Sequence, residues 1–230
     1  MKLYVGALAG LLLLTGCGSD QPAPEPTVSA TDAPPDVPVM GREVPILAIG
    51  DSLFTGYGLD NGKGYPEKLE VALRARGINA RIVNAGVSGD TTAGGSQRLD
   101  FALDGQKATP ELVIISLGGN DMLRGLPPQE TRANLDRMLA DLKRRGIPVL
   151  LLGMLAAPNL GKDYARKFNP IYPALAEKYH AALVPFFLRP LMDRPDLVQK
   201  DHIHPTEVGV EALVAATVDE VAQALGKNDD

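Results

Sequence analysis

The chain has 230 residues, of which 45% are apolar and 22% are charged. These proportions are ordinary for a globular protein with one sizeable hydrophobic core. The formal net charge is -5, so the chain lacks the basic excess of nucleic-acid-binding domains, and we expect no nucleic-acid partner.

The first residues are predicted to be a targeting segment. Lys2 precedes an apolar run at residues 3–14, which is too short to cross a bilayer as a helix. The run ends in Leu-Thr-Gly-Cys at residues 14–17, which resembles the lipobox of bacterial lipoproteins. This resemblance implies that residues 1–16 are removed as a signal peptide and that Cys17 is lipidated. The alternative is an ordinary signal peptide followed by an incidental cysteine.

Cys17 is the single cysteine of the chain, so no intramolecular disulfide competes for it. We therefore expect a protein of the cell envelope that is anchored to a membrane through Cys17. The residue after this cysteine is Gly18 rather than aspartate, which favours the periplasmic face of the outer membrane as the address.

A proline-rich segment follows the cysteine. Six prolines, several acidic residues and no aromatic residue lie between residues 18 and 43, and such a composition cannot bury a core. Residues 17–43 are thus predicted to be a lipidated cysteine followed by a disordered tether. The folded domain is expected at residues 44–226, and residues 227–230 are expected to be a disordered tail.

Within the predicted domain, short apolar runs alternate with segments of helical periodicity. Strands are predicted at residues 44–49, 80–84, 112–117, 149–152 and 182–187. Helices are predicted at residues 65–76, around 99–103, at 128–145, at 164–180 with interruptions near Pro170 and Pro173, and at 205–225. This alternation predicts a three-layer α/β/α domain with a five-stranded parallel sheet.

Polar residues collect in four segments, three of which directly follow predicted strands. They are residues 50–53, 84–92, 118–121 and 201–205. Ligand sites of open α/β sheets lie beyond the carboxyl ends of the strands, so these segments are expected to meet at one edge of the sheet.

Together the four segments contain the parts that acyl transfer needs. Ser52 could be a nucleophile if a base removes its proton, and His204 could be that base. Asp201 lies three residues before His204, close enough to hold the imidazole in one tautomer. The backbone N–H groups of Ser52 and Gly89 and the side-chain amide of Asn120 could bind the resulting oxyanion.

Each segment also has a simpler interpretation. Asp51 and Ser52 could only cap a helix, and residues 118–120 could only form a turn. Residues 84–95 form a glycine-rich loop, although they lack the nucleotide-binding patterns. The Asp201–His204 segment could bind a metal, but no further His or Cys is available for a closed site. We interpret His202 as an exposed neighbour and His180 as a structural residue.

In this order, the four segments resemble the conserved blocks of the SGNH (GDSL) hydrolases. The resemblance covers nearly all of residues 44–225 and is greatest to the branch of bacterial thioesterase I, lysophospholipases and arylesterases. The family resemblance is based on the residues Gly50-Asp51-Ser52-Leu53, Gly89, Gly118-Gly119-Asn120-Asp121 and Asp201-x-x-His204. The resemblance to this branch is based on residues 50–57, 87–92, 118–125, 171–173 and 185–187.

The resemblance implies a flavodoxin-like SGNH fold and a Ser-His-Asp triad of Ser52, His204 and Asp201. It implies Ser52, Gly89 and Asn120 as oxyanion donors, no metal and no organic cofactor. It also implies an acyl groove along Asp121, Met122, Leu123, Arg124, Gly125 and Leu126. One departure from that branch lies directly before His204, where a more flexible turn is typical. This chain has Lys200, Asp201 and His202 at that place.

The predicted function is hydrolysis of small-molecule acyl esters or thioesters through an acyl-enzyme, without an obligate protein partner. A carbohydrate O-deacetylase with the same fold and triad is an alternative within enzymes. A non-catalytic envelope lipoprotein that binds glycan or lipid is an alternative from another class.

Overall fold

The computed structural model describes residues 39–226. The predicted signal peptide, Cys17, most of the predicted tether and the predicted tail at residues 227–230 lie outside the described residues. At the start of the described part, Gly41 accepts a hydrogen bond from Asn79, and Arg42 forms an ion pair with Glu111. The end of the predicted tether is therefore held against the domain.

The domain is built around a parallel sheet of five strands, as the sequence predicts. Their spatial order is β2-β1-β3-β4-β5, which is the flavodoxin-like order. The strands are β1 (Val44–Gly50), β2 (Ala80–Gly86), β3 (Leu112–Ser116), β4 (Val149–Leu152) and β5 (Ala182–Val184).

Helices cover both faces of this sheet and complete the predicted three layers. Helices α2 and α8 pack together on one face, and α3, α5 and α7 pack together on the other. The helices are α1 (Ser52–Thr55), α2 (Tyr65–Ala75), α3 (Thr92–Asp104), α4 (Gly119–Leu123), α5 (Pro128–Arg144), α6 (Gly161–Phe168), α7 (Ile171–Tyr179) and α8 (Glu207–Gly226).

The burial of the strands explains why they are continuous apolar runs. Every residue of β3 and β4 is buried, as are the last five residues of β1. Apolar strands of this kind must be covered on both faces, because an exposed face would leave its side chains in water. The edge strands β2 and β5 contain mostly half-buried residues instead.

Prolines decide where two of the predicted elements end or break. Strand β5 ends at Val184 rather than at residue 187, because Pro185 has no N–H to donate to a ladder. The interruption predicted near Pro170 in the helix at residues 164–180 is confirmed, because α6 and α7 are separated at Asn169 and Pro170. The interruption predicted near Pro173 is wrong, because Pro173 lies in the first turn of α7, where its missing donor is not needed.

Two short helices, α1 and α4, were not predicted, and both begin at the carboxyl edge of the sheet. They follow β1 and β3, between which the strand order reverses direction. Such a switch point opens a crevice that parallel α/β domains use for binding. Ser52 is the first residue of α1, and Asn120 is the second residue of α4, so both predicted site residues lie at this crevice.

Gly118 fixes the direction in which the chain enters α4. Its φ of 108° lies in the region that favours glycine. A Cβ at this position would also overlap the hydroxyl of Tyr172, which is fully buried and donates to the Leu117 carbonyl at 2.8 Å. The turn that presents Asn120 is thus set by a backbone conformation and a close contact that only glycine satisfies.

No helix between residues 39 and 226 combines the length and the apolar character that are needed to cross a membrane.

Candidate active site

Ser52 is presented by a sharp turn between β1 and α1. Gly50 allows this turn, because a Cβ there would overlap the ring of Phe54. Asp51 caps the helix by accepting a hydrogen bond from Leu53 N at 3.0 Å. Ser52 therefore begins α1 with its side chain at the edge of the crevice.

Two short hydrogen bonds join Ser52 to the segment before α8. His204 Nε2 lies 2.8 Å from Ser52 Oγ, and His204 Nδ1 lies 2.6 Å from Asp201 Oδ2. The three predicted triad side chains thus form one hydrogen-bonded line, although 152 positions separate the serine from the histidine. This geometry lets the imidazole accept the serine proton while the carboxylate holds the ring.

Asp201 also shapes the turn that carries His204. Its Oδ1 accepts hydrogen bonds from the backbone N–H groups of Ile203 and His204, each at 3.0 Å. Hydrogen bonding from the His204 side chain, followed by these two backbone donors, holds the pKa of Asp201 well below its ordinary value. The carboxylate therefore remains ionised at neutral pH and can orient the imidazole.

The loop around His204 is docked onto the loop after Ser52. Gln199 Nε2 donates to the carbonyls of Tyr57 and Pro205, each at 2.8 Å. The Tyr57 ring packs against the imidazole of His204 with 4.5 Å between the ring centroids. His202 has a φ of 60° in this turn. The segment at residues 200–202, which departs from the pattern of the resembled branch, thus holds a non-glycine residue in the left-handed conformation.

The second predicted loop brings Gly89 to the same crevice. Gly89 has a φ of 80°, and its carbonyl accepts a hydrogen bond from Arg124 Nη2 at 2.6 Å. On the other side of the loop, Ser88 Oγ lies 2.8 Å from Thr55 Oγ1. The backbone around Gly89 is thus held between α1 and Arg124, the residue that follows α4.

Asn120 is held by two acceptors. Its Nδ2 donates to the Asp90 carbonyl at 3.0 Å and to Asp51 Oδ2 at 3.2 Å. Asn120 therefore connects the loops after β1, β2 and β3 in one network. Its amide N–H groups lie among the residues that surround Ser52.

Asp121 has a different role from the predicted one. Its carboxylate is buried and accepts hydrogen bonds from Thr92 N at 2.8 Å, from Thr92 Oγ1 at 2.5 Å and from Thr131 Oγ1 at 3.2 Å. These partners are the first residue of α3 and a residue of α5, so Asp121 joins helices beneath the crevice. It does not line the crevice itself.

A largely apolar cavity of about 370 Å³ opens beside Ser52. Only Met122 and Leu123 of the predicted groove at residues 121–126 line it, because the chain turns away at Gly125, whose φ is 64°. Arg124 reaches Gly89 instead. The lining residues are Asp51, Ser52, Leu53, Tyr57, Ser88, Gly89, Gly119, Asn120, Met122, Leu123, Met154, Leu188, His202, Ile203 and His204.

Several residues that support the site escaped the sequence analysis. Arg98 donates to the Gly50 and Ala85 carbonyls at 2.9 and 2.5 Å and pairs with Asp90 at 2.6 Å, which ties the ends of β1 and β2 together. Gln199 and Tyr57 hold the His204 loop, as described above. No motif marks these residues, because each acts through partners that are distant in sequence.

The described residues contain no group of three or more His, Cys, Asp or Glu side chains that could hold a metal ion. In place of a ligand cluster, the crevice holds an imidazole between a hydroxyl and a carboxylate, beside amide donors and an apolar cavity. This combination defines the active site of a serine hydrolase.

Comparison with known proteins agrees with this class. Residues 48–212 match the sequence model of the GDSL-like Lipase/Acylhydrolase family. The chain belongs to this family, and it is a hydrolase of the esterase and thioesterase type.

Characterised relatives and solved structures align with most of the domain. The chain is 41% identical to the "Arylesterase" of Vibrio mimicus over 70% of this chain and 79% of that protein. It is 36% identical to "Thioesterase 1/protease 1/lysophospholipase L1" of Escherichia coli K12 over 70% of this chain and 74% of that protein.

The crystal structure of AlinE4, an SGNH-hydrolase family esterase, matches with 65% identity and a TM-score of 0.69 over 81% of this chain and 98% of that chain. Two further structures of that esterase carry a serine-to-alanine change and an aspartate-to-alanine change. The two changed positions are as far apart in its chain as Ser52 and Asp201 are here.

Proposed function

We propose that this protein hydrolyses acyl esters and thioesters through an acyl-enzyme at Ser52. The observation that supports this proposal best is the line of hydrogen bonds from Ser52 through His204 to Asp201, at 2.8 and 2.6 Å, beside an apolar cavity. A serine hydroxyl becomes a useful nucleophile when a base accepts its proton during attack.

In the first half of the reaction, Ser52 Oγ attacks the carbonyl carbon of the substrate while His204 Nε2 takes the hydroxyl proton. The negative charge on the carbonyl oxygen is stabilised by the backbone N–H groups of Ser52 and Gly89 and by the Asn120 amide. The imidazolium then gives its proton to the departing alcohol or thiol, which leaves Ser52 acylated.

In the second half, water replaces the leaving group. His204 accepts a proton from this water as it attacks the acyl carbon, and the same oxyanion donors stabilise the second tetrahedral intermediate. Collapse of the intermediate breaks the bond to Ser52 Oγ, which regains its proton from His204. The products are a carboxylic acid and the original enzyme.

The cavity favours an acyl chain over a sugar as the group nearest Ser52. Its walls are mainly aliphatic side chains and two methionines, contributed by Leu53, Met122, Leu123, Met154, Leu188 and Ile203. Burial of each CH₂ of a substrate chain contributes about 0.8 kcal/mol. A carbohydrate deacetylase would need polar groups to orient its sugar. Apart from the proposed catalytic groups and the buried Asp51, the polar side chains of the lining are Tyr57, Ser88 and His202.

An acyl-chain series tests this assignment. With p-nitrophenyl esters and acyl-coenzyme A thioesters from C2 to C16, kcat/KM is expected to rise about three- to fourfold per CH₂ until the cavity is full. A maximum at C2, together with release of acetate from acetylated xylan, would contradict the assignment and favour a deacetylase.

The site of action is proposed to be the cell envelope, with the domain tethered by lipidated Cys17 to the periplasmic face of the outer membrane. The apolar run at residues 3–14, the Leu-Thr-Gly-Cys sequence at residues 14–17 and the proline-rich segment after it support this proposal.

Metabolic labelling with an alkyne fatty acid tests the anchor. The wild type is expected to acquire the label and to fractionate with membranes, whereas Cys17→Ser is expected to lose both properties. A labelled Cys17→Ser protein would place the acyl chain elsewhere. Unlabelled wild type that is free in the periplasm would favour an ordinary signal peptide.

A further inference from the structure

We propose that the carboxylate of Asp51 is a positioning residue for this hydrolysis, because it fixes which end of the Asn120 amide faces the reacting carbonyl. The inference depends on the proposed function, since Asn120 matters only if an oxyanion forms beside it. Asp51 and Asn120 come from the ends of different strands and meet beneath Ser52.

The contacts of Asp51 leave both of its oxygens occupied. Oδ1 accepts from Leu53 N at 3.0 Å, and Oδ2 accepts from Asn120 Nδ2 at 3.2 Å. Only 2% of the residue is exposed, so water does not compete freely for these oxygens. The carboxylate therefore acts on the Asn120 amide through a direct hydrogen bond.

An asparagine side chain needs such a partner, because its two ends have nearly the same shape. Rotation by 180° exchanges a donor for an acceptor with little change in packing. Asp51 Oδ2 and the Asp90 carbonyl both accept from Nδ2 of Asn120. If the amide rotated, neither a backbone carbonyl nor an ionised carboxylate could donate to Asn120 Oδ1. These two acceptors take up both N–H groups of Nδ2 in the resting site and keep Nδ2, rather than Oδ1, in its present place. An oxyanion beside Ser52 would share one of these N–H groups with its present acceptor.

Helix capping does not account for the carboxylate. Asparagine caps helices as well as aspartate does, and Asn at position 51 could still accept from Leu53 N through its own oxygen. It would also remove a charge from a buried place. The charged residue is explained if the crevice needs an acceptor, rather than an amide donor, opposite Asn120.

The surroundings of Asp51 oppose its ionisation. Burial, the largest effect, raises its pKa to about 6, although the hydrogen bonds from Leu53 and Asn120 and the imidazole of His204 act in the opposite direction. The other ionisable groups around it are Asp90, which raises the pKa and is paired with Arg98, and the buried phenol of Tyr172.

The consequence for stability has a definite sign. An acid whose folded-state pKa exceeds the ordinary value of 3.8 holds its proton more tightly in the folded state. Stability is then unaffected below about pH 4 and falls as the pH rises through about 6. At neutral pH, the ionised carboxylate of Asp51 therefore lowers the stability of the fold while it positions Asn120.

The variant Asp51→Asn separates the two effects. Its new NH₂ group would face Asn120 Nδ2, and the Asn120 amide could satisfy it only by turning its oxygen toward residue 51. That rotation removes a donor from the oxyanion, and one such donor is typically worth 10²–10³ in kcat. We expect kcat on p-nitrophenyl esters to fall about 10–100-fold, with KM changed less than about threefold.

A double-mutant cycle with Asn120→Ala tests whether Asp51 acts through Asn120. If it does, Asp51→Asn lowers kcat less than about threefold in the Asn120→Ala background, because the donor is already absent. Two losses that multiply would show that Asp51 acts independently and would overturn the proposal. Unchanged kcat in the single variant Asp51→Asn would overturn it as well.

Thermal unfolding at pH 4 and pH 7 gives a measurement that loss of a structural contact alone would not reproduce. Asp51→Asn is expected to match the wild type at pH 4 and to exceed its stability at pH 7, with a Tm about 2–4 °C higher. The matched control is Asp121→Asn, a second buried carboxylate beside Asn120. It is expected to be less stable than wild type, since an amide oxygen cannot replace an acceptor of three hydrogen bonds.

An Asp51→Asn protein that is less stable than wild type at pH 7 would assign the carboxylate a structural role and would overturn the inference. Ester hydrolysis by the wild type is measured first, because its absence would contradict the proposed function and the role of Asp51 with it. An active wild type with an unaffected Asp51→Asn variant would contradict the role of Asp51 alone.

Discussion

Replacement of Ser52 by alanine is expected to lower ester and thioester turnover about 10⁵–10⁶-fold, to the background that the remaining oxyanion donors sustain. The variant lacks the hydroxyl that His204 contacts at 2.8 Å, which is the proposed nucleophile. Turnover is measured with p-nitrophenyl butyrate and with an acyl-coenzyme A substrate.

The Ser52→Ala protein should remain folded, with a free energy of unfolding within about 1 kcal/mol of wild type, because it loses only one partly exposed hydrogen bond. Ser96→Ala is a suitable control, since Ser96 lies on α3 and contacts Arg137 rather than the cavity. Retained turnover in Ser52→Ala would indicate another nucleophile. Equal losses in both variants would indicate damage to the fold.

The second large effect is expected at Asp201. In Asp201→Asn, an NH₂ group replaces the oxygen that lies 2.6 Å from His204 Nδ1. This donor favours the imidazole tautomer with its proton on Nε2, which cannot accept the proton of Ser52. Loss of the correct tautomer typically lowers kcat about 10⁴-fold with the remaining geometry intact. We expect kcat of Asp201→Asn to fall about 10³–10⁴-fold, while KM changes little.

Asp196→Asn is the matched control for Asp201. Asp196 is an exposed aspartate that precedes the same loop, and it pairs with Arg194 rather than with His204. Its replacement should leave kcat within about twofold of wild type. An Asp201→Asn variant that loses less than tenfold in kcat would mean that His204 is oriented by other contacts, such as the Tyr57 ring and Gln199.

The strong features of the fold were predictable from local sequence. Strands β1, β3 and β4 are short apolar runs that stop at turn residues, and α5 has a clear helical period. Their alternation predicts a parallel sheet because continuous apolar strands need cover on both faces. The errors concern Pro185, which ends β5 before residue 187, and Pro173, which lies in the first turn of α7 and does not interrupt it. The exact residue at which an element ends is the least predictable detail.

The identities of the candidate site residues were predictable from the sequence, but their contacts were not. Ser52, Gly89, Asn120, Asp201 and His204 belong to segments with a recognisable order, and the carboxyl edge of a parallel sheet brings such segments together. Their contacts could not be read from the sequence, because each depends on how one loop is fixed to another.

The roles of the residues that support the site could not be predicted from the sequence. Asp121 is adjacent to Asn120 and was expected to line the groove, but its carboxylate points into the network with Thr92 and Thr131. Arg98 lies on a helix with no motif and binds carbonyls at the ends of two strands. A buried polar group acquires its role from partners that folding brings near, and a linear pattern does not contain that information.

The central claim is that distant loops bring hydroxyl, imidazole and carboxylate together so that one serine is unusually reactive. Labelling with a fluorophosphonate, followed by peptide mass spectrometry, tests this claim most directly. We predict one adduct per chain, located on Ser52, formed rapidly by the wild type and about 10³–10⁴-fold more slowly by Asp201→Asn. A folded wild type that does not react, or an adduct on any other residue, would contradict the account.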